Sequence, residues 1–513
     1  MTPEDAVNDQ QVEDRALRKA GVSDEEGYHV KLVRRSIDAR GRQIWIRLRA
    51  EVWKGKLPAE PVISERFMQV DEKPAVIIVG AGPGGYFAAL ECLEQGLKPI
   101  VLDRGKDVRA RRRDLRAIQQ FSEVNPHSNY CFGEGGAGTY SDGKLYTRSH
   151  KRGSTEKVLH LLVEHGAKSD ILVEAHPHIG SNKLPGIVAN IRETITHHGG
   201  EVHFDTYVND LIMEGDTIKG VRSEDGREWL ADATILATGH SARDIFYLLD
   251  SFNIKLEAKP YALGVRIEHP QLIIDQAQYH RKERGDYLPA SSYKLTCQVD
   301  KQGVFSFCMC PGGLVVPAAT APGEIVVNGM SLSRRDSPFA NSGTVTAVDE
   351  VDFQPFSQHG IFAGLRYQQA VEQAVFNNGN GSQQAPAQRL IDFTKGKLSA
   401  DLNKASYIPG LYAAPVHELL PKPVYERLRR GVLQFGKQMK GYLTQEANVI
   451  ATESRTSSPI RIPRNRESYM HVGCNGLFPC GEGAGYAGGI LSAAMDGQNV
   501  ARAVAKYYQE KSR

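Results

Sequence analysis

The spacing of apolar positions changes several times along the chain, and each change marks a new kind of element. Residues 10–20 carry the spacing of a short helix, and extended runs follow at 28–34 and 43–53. In the second run Ile44, Ile46, Leu48, Ala50 and Val52 alternate with Trp45, Arg47, Arg49, Glu51 and Trp53, the period of two that a strand with one buried face requires. Arg40-Gly41-Arg42 supplies the turn between them. Together these predict a small α+β appendage over residues 1–70, closing in the proline-containing connector at 57–61.

Ala75–Val79 breaks the alternation with a continuous, mostly β-branched apolar run, as in strands buried on both faces of a parallel sheet. A helix over 84–95 and a second strand at 98–102 complete a βαβ unit, whose crossover is expected to be right-handed. From 259 to 341, strand-like pieces at 263–267, 304–309 and 324–327 are separated by Gly and Pro, which reads as a second, sheet-rich domain inserted into the first. Residues 377–388 (NNGNGSQQAPAQ) read as a polar surface loop. The expected division is 1–70, 71–258, 259–440 and 441–513, the last piece returning to the domain of the second.

Composition narrows the picture. A chain of 513 residues exceeds the size at which one hydrophobic core keeps growing, in keeping with several domains. Hydrophobic residues at 41% and charged residues at 24% are ordinary globular values and exclude a disordered chain. Sixty-three Lys and Arg against 60 Asp and Glu leave a net charge of +3, too near balance to announce a nucleic-acid or membrane partner. The seven cysteines are odd in number and contain no C-x-x-C pair, which argues against a disulfide scaffold or zinc ribbon and favours a reducing compartment. Residues 1–18 are polar, and no run approaches the roughly twenty apolar residues that span a bilayer, so a cytoplasmic protein is expected.

The most informative motif is Gly80-x-Gly82-x-x-Gly85, which follows the buried strand and opens the helix, with Pro83 and Gly84 inside it. Gly80 permits the tight turn, Gly82 lets the backbone approach a pyrophosphate, and Gly85 lets the helix pack closely on the strand. The helix N-terminus offers N–H groups and the positive end of its dipole to phosphates. Asp103 closes the second strand where a carboxylate accepts from ribose hydroxyls. A 2′-phosphate is repelled there, which disfavours NADP even with Arg104 adjacent. The motif predicts a dinucleotide site without deciding between FAD and NAD.

Two later segments carry a resemblance. Residues 231–244 (ADATILATGHSARD) end a β-like run in Ala237-Thr238-Gly239, and residues 476–504 (GLFPCGEGAGYAGGILSAAMDGQNVARAV) run from a strand through a Gly-rich turn into a long helix. They resemble the second and third segments of glutathione-reductase-type flavoproteins. With RRSIDAR (34–40), GGAGTYSDGKL (135–145), AHPHIGSNKL (175–184), FSFCMCPGG (305–313), NGMSLSRRDSPFANSG (328–343) and RTSSPIRIPR (455–464), nearly the whole chain resembles a largely uncharacterised FAD-dependent dehydrogenase family of bacteria and plastids.

The resemblance implies FAD as cofactor and an α/β fold: a Rossmann-like FAD-binding domain, its parallel sheet flanked by helices, with an inserted sheet-rich substrate domain and the small N-terminal α+β appendage. It places Ala237, Thr238 and Gly239 close to FAD, Gly481 and Glu482 on the ribityl and pyrophosphate side, and Gly488, Gly489 and Ile490 at the flavin ring. A helix N-terminus there stabilises the charge that develops on reduction. It also places the loop 133–143, with Gly135, Gly136, Ala137 and Gly138, alongside the cofactor, Ser141 and Lys144 being the side chains to act there. An ordinary flexible loop is the alternative.

Cys308-Met309-Cys310 ends a strand before Pro311-Gly312-Gly313. Alternate residues of a strand face the same way, so both thiols are expected on one side, as a redox relay or a nucleophile, unless they are buried cysteines acting as small hydrophobes. His240, His176 and His178 are candidate proton donors or structural hydrogen-bonding groups. Histidine spacing fits no metal motif, and no metal is expected. Arg334-Arg335-Asp336, Arg455 and Arg461 suit an anionic substrate or the FAD phosphates, or else a solvated surface.

The expected function is an FAD-dependent oxidoreductase passing a hydride, or two electrons, between FAD and a small organic substrate that the sequence does not identify. No second fingerprint marks a separate NAD(P)H domain, so NAD(P)H enters only as a transient donor, and a redox protein is the other candidate donor. Neither a membrane nor nucleic acid is expected as partner. Two rival functions are a flavin-dependent RNA-modifying enzyme, suggested by the Arg-rich hairpin at 34–49, and a non-catalytic protein that holds FAD for an interaction.

Overall fold

A computed structural model describes residues 1–23, 26–146 and 154–513. Ala75–Val79 becomes the middle strand of a five-stranded sheet in the order Leu477–Pro479, Thr234–Leu236, Ala75–Val79, Lys98–Leu102, Glu201–His203. Every neighbouring pair is parallel. The unbroken apolar run is explained by burial on two sides. Val76 and Ile78 join a core with Phe87, Leu90, Met495 and Val500, whereas Ile77 and Val79 face Val221, Phe246 and Leu249. On the first face, helices Pro83–Glu94 and Ile490–Lys511 lie so close that a Cβ at Gly497 would overlap the Gly84 carbonyl oxygen.

A seven-stranded sheet carries the second core, in the order Thr296–Val299, Gln302–Cys310, Phe339–Val348, Tyr261–Pro270, Asn448–Glu453, Ala385–Arg389, Leu411–Ala413. Helices Ala363–Asn377 and Lys422–Gln438 contribute Val371, Leu428 and Phe435 to it. Three stretches differ from the sequence reading. Ala385–Arg389, expected within a surface loop, is a mostly buried strand that Pro386 and Gln388 disguise. Asn448–Glu453, assigned by sequence to the C-terminal return, lies between Tyr261–Pro270 and Ala385–Arg389, so the second sheet extends past residue 440. The strand expected at 324–327 runs instead over Val327–Ser331 and pairs with Gly313–Pro317.

The N-terminal helix Asp9–Ala20 starts at Asn8, whose side chain accepts from the Gln11 N–H (3.1 Å). The hairpin Tyr28–Asp38 and Trp45–Lys54 follows. Ile44 and Ile46 bury against Tyr279 and Leu288 of the second body, while the Arg35 N–H donates to the Val173 carbonyl (2.8 Å). The appendage thereby touches both larger bodies. Among the described residues no helix is long and apolar enough to cross a membrane.

One core carboxylate carries a prediction. Glu268 accepts from the Ser406 N–H (3.0 Å) and from its hydroxyl. Burial pushes its pKa up to about 7 in spite of those bonds. A folded-state value above the unfolded 4.5 means that stability present below the unfolded value is lost as pH rises through about 7. Glu268→Gln is therefore expected to be more stable than the parent in mildly alkaline buffer, by on the order of 3 kcal/mol, and to lose that advantage in acid. Urea titrations across this pH range check it, and a pH-independent difference would refute it.

Candidate functional site

The fingerprint glycines divide into two kinds. Gly80 (φ 109°) turns the chain where a Cβ would overlap the Ala237 carbonyl oxygen, and a Cβ at Gly85 would overlap that of Gly80. Gly82 has an ordinary φ of −75°, and the nearest atom to a Cβ there is the Gly136 Cα at 3.9 Å. The protein's own packing therefore tolerates a methyl at Gly82, and its bareness serves the space in front of it. Pro83 opens the helix and no side chain caps it, so its first-turn N–H groups face outward for a ligand. Asp103 accepts from the N–H groups of Ala81 (2.8 Å) and Gly105 (2.8 Å), tying the turn to the second strand. Arg104, expected beside the cofactor, pairs with Asp244 (2.8 Å) between the rings of Phe132 and Tyr207.

The loop that begins at Gly133 runs directly past this turn. The Gly135 N–H donates to the Ala81 carbonyl (2.8 Å), and Gly136, Ala137 and Gly138 form a single 3-10 turn. A Cβ at Gly138 would stand 3.1 Å from Ile490 and 3.3 Å from Pro83, so the loop separates two helix N-termini. Arg111, fully buried in a basic run that the sequence made look like surface, braces it: Nε donates to the Asn129 carbonyl (2.8 Å), and the guanidinium donates to the carbonyls of Glu134 (2.8 Å) and Gly136 (2.8 Å). Ser141 shapes the turn, donating to the Gly138 carbonyl (2.7 Å) and accepting from the Gly143 N–H (3.0 Å).

The opposite wall comes from Ala237-Thr238-Gly239 and the C-terminal segment. No atom lies within 4 Å of a Cβ placed on Gly239, Gly481, Gly488 or Gly489, and Ile490 begins a second helix that no side chain caps. Asp496 accepts from the Gly481 N–H (2.8 Å) and is clamped by Arg464 (2.6 and 2.9 Å), a support that no pattern along the chain marks. Glu482 accepts from the Gly489 N–H and stands 3.5 Å from His240 Nε2. His240 Nδ1 lies 2.9 Å from Ser241 Oγ, which donates to Cys131 Sγ (3.4 Å). Burial lowers the His240 pKa against the pull of Glu482, favouring the neutral ring. Two uncapped helix ends, bare glycines and an absence of intruding side chains suit a diphosphate-bridged dinucleotide.

Farther along, the same loop reaches a second cluster. Asp142 is buried under both arms of Arg335 (3.1 and 2.5 Å) and the Ser331 hydroxyl, and the backbone of Lys144 pairs antiparallel with that of His178. Cys308 (φ 46°) sits in a bulge, the register jumping from Phe307 to Cys310. The alternation argument fails there: Cys308 lines a large cleft, whereas Cys310 is fully buried with Sγ 3.3 Å from the Cys308 carbonyl. A hydrogen bond from Cys310 lowers the Cys308 pKa against the cost of burial, with help from Lys144 and Arg266. Iodoacetamide is expected to modify Cys308 before the other thiols, with a midpoint clearly below the ordinary thiol value of 9.0. Peptide mapping after brief labelling checks this, and equal labelling in Cys308→Ser would sink it.

His176, stacked edge-on to Tyr146 (4.9 Å), and His178, 3.1 Å from the Ser333 carbonyl, line this cleft rather than the glycine-walled space. Arg334 lines it too, and Asp336 stands at its neighbour with Asn182. Arg455 is committed to buried Glu372 (2.7 Å), and Arg461 stands 3.8 Å from Glu257. Among the described residues no group of three or more His, Cys, Asp or Glu suits a metal ion.

Comparison with known proteins defines the class. Residues 260–456 match the family model described as FAD-dependent protein, C-terminal domain-like, and residues 1–53 match a domain of unknown function. An uncharacterised protein of Clostridium beijerinckii is 38% identical over 510 residues, covering 96% of this chain and 95% of its own. The chain belongs to the same family as that protein, and its residues 260–456 carry the domain described for FAD-dependent proteins. Solved structures with similar features include the flavin-dependent brominase Bmp2 (13% identity, TM-score 0.36, 85% of this chain and 79% of that one). Another is the open conformation of a flavocytochrome c3 fumarate reductase (12% identity, TM-score 0.36, 85% and 78%). At such TM-scores these likenesses carry no argument about chemistry.

Proposed function

We propose that the protein is an FAD-dependent oxidoreductase in which a Rossmann-like domain holds the cofactor and a small organic substrate enters the cleft beside Cys308. One observation carries the reading: the loop that packs Gly136 against Gly82 continues to buried Asp142, which is paired with Arg335 of the cleft, and to Lys144, which lines the cleft. One loop thus runs from the cofactor space to the cleft. When bound, FAD supplies hydride or two-electron chemistry.

The protein's residues bind and orient. Gly82 and the helix end at Pro83 receive the diphosphate, Asp103 offers its remaining lone pairs to a ribose, and Glu482 holds the second helix end in register through Gly489. Neutral His240, with Ser241 and Cys131 behind it, holds a proton at Nδ1 or Nε2 next to the bare glycines. Cys308 lines the substrate cleft as thiolate, and Lys144, lining the same cleft, balances its charge.

The test is a visible spectrum of the purified protein followed by anaerobic titration with NADH and NADPH. A flavin that bleaches and is restored by an organic acceptor supports the reading. A flavin that neither nicotinamides nor any organic substrate reduces would instead favour a protein that holds FAD without turning it over, and a colourless protein that ignores added FAD would overturn the reading.

A further inference from the structure

The cleft beside Cys308 has a volume of about 2240 Å³, well beyond the ~300–1,000 Å³ of ordinary small-molecule sites. Three parts of the chain build it: the N-terminal hairpin from Arg35 to Arg47, the segment from Gly166 to Ile187, and the second body around Tyr287–Leu295, Ser306–Met309 and Lys437–Gly441. Its charge does not resemble that of the chain. Eleven Lys and Arg line it against three Asp and Glu, whereas the whole chain carries 63 against 60.

Neutralisation within the wall is incomplete. Arg40 and Arg47 share Asp38, Arg35 leans on Glu174 and Arg335 is spent on Asp142. Lys168, Lys183, Lys294, Arg334, Lys437 and Lys440 form no ion pair among the described residues. Like charges gathered on the walls of one cleft repel one another, and a low-dielectric wall focuses their field into the space they enclose. Exposed Tyr146 and Tyr287 add flat apolar faces to the same walls.

We infer that the cleft takes a polyanionic organic molecule, one with two or more phosphate or carboxylate groups on an unsaturated or aromatic core. The inference rests on the oxidoreductase reading and supplies its substrate class. The anionic groups sit among the rim lysines and Arg334, the core lies along the tyrosines, and the reacting end points to Cys308 and Lys144. It also gives residues 1–53 a task, since their arginines and Ile37, Ala39 and Ile46 complete one wall.

Calorimetry on flavin-loaded protein tests this with inorganic tripolyphosphate, citrate and NADPH as probes. Saturable binding is expected that weakens at least about tenfold between roughly 50 and 200 mM NaCl, and again at least about tenfold in the double variant Lys183→Glu/Arg334→Glu. Both side chains are exposed and outside the cofactor space, so flavin content and melting temperature should stay at parental values. Citrate binding alone assigns a carboxylate substrate, and NADPH competing with tripolyphosphate assigns a phosphate-bearing one; either supports the inference. A yellow protein that binds none of the three, or binds them regardless of the two substitutions, would overturn it. So would a short single-stranded RNA that binds more tightly than every small probe. A colourless protein that still binds tripolyphosphate would fail the flavin reading and leave the charged cleft standing.

Discussion

Gly82→Ala is expected to yield a folded protein that retains little flavin. The added methyl meets nothing closer than the Gly136 Cα, 3.9 Å away, and the φ of −75° suits alanine. The fold therefore has no reason to suffer. In the proposed complex that methyl stands between the backbone and the diphosphate, and pushing the ligand off one charge-assisted hydrogen bond costs about 1.5–3 kcal/mol, roughly ten- to hundredfold in affinity. Gly85→Ala is the contrasting control, since its methyl would overlap the Gly80 carbonyl and disturb the fold itself. The flavin-to-protein absorbance ratio and the melting temperature separate the two. Full flavin occupancy in Gly82→Ala would remove the cofactor from this turn.

The largest expected loss of stability follows from breaking the buried ion cluster between the two bodies. Glu372 is fully buried and accepts from Arg455 (2.7 and 2.9 Å), Arg243 (2.6 Å) and Ser454 (2.5 Å), while Glu324 shares both arginines. Arg243 begins a helix on the first sheet, Glu372 lies on a helix of the second body and Arg455 follows the strand Asn448–Glu453. Removing one charge leaves others buried and uncompensated, at a cost of about 3–5 kcal/mol. Glu372→Leu should show this as a lowered urea midpoint, and an unchanged midpoint would dismiss the cluster as a brace. Burial pushes the Glu372 pKa up, but Arg243 and Arg455 outweigh it and hold the carboxyl below its usual 4.5. A depressed folded value means that this contribution is whole above the unfolded value and drains away as acid protonates the folded group.

Legibility in the sequence tracked how local each constraint is. The strands at 75–79 and 98–102 and the turn between them were readable because their glycines, apolar run and helix start lie within one short segment. Ala385–Arg389 was hidden because its strand character comes from neighbours at Leu411–Ala413 and Asn448–Glu453 rather than from its own residues. The same distance hid the affiliation of Asn448–Glu453. At the candidate site, Gly80 and Gly82 stood out by pattern, and Gly239 and Gly481 through the family resemblance. Arg111, Asp142, Asp496 and Arg464 did not, because a charged residue destined for burial looks like any surface charge until its partner is placed. The bulge at Cys308 was equally silent, since a positive φ at a cysteine leaves no compositional trace.

The close seat of Gly497 on Gly84 bears on how the molecule is made. The strand Leu477–Pro479 fills the position beside Thr234–Leu236, and the helix after it supplies the second uncapped end and locks onto the fingerprint helix. During synthesis the first two walls of the pocket emerge hundreds of residues before the third. On the proposed reading, a ribosome-bound chain that stops short of residue 477 has no complete berth for a dinucleotide, and flavin loading waits until translation has passed residue 490 and its helix has folded back.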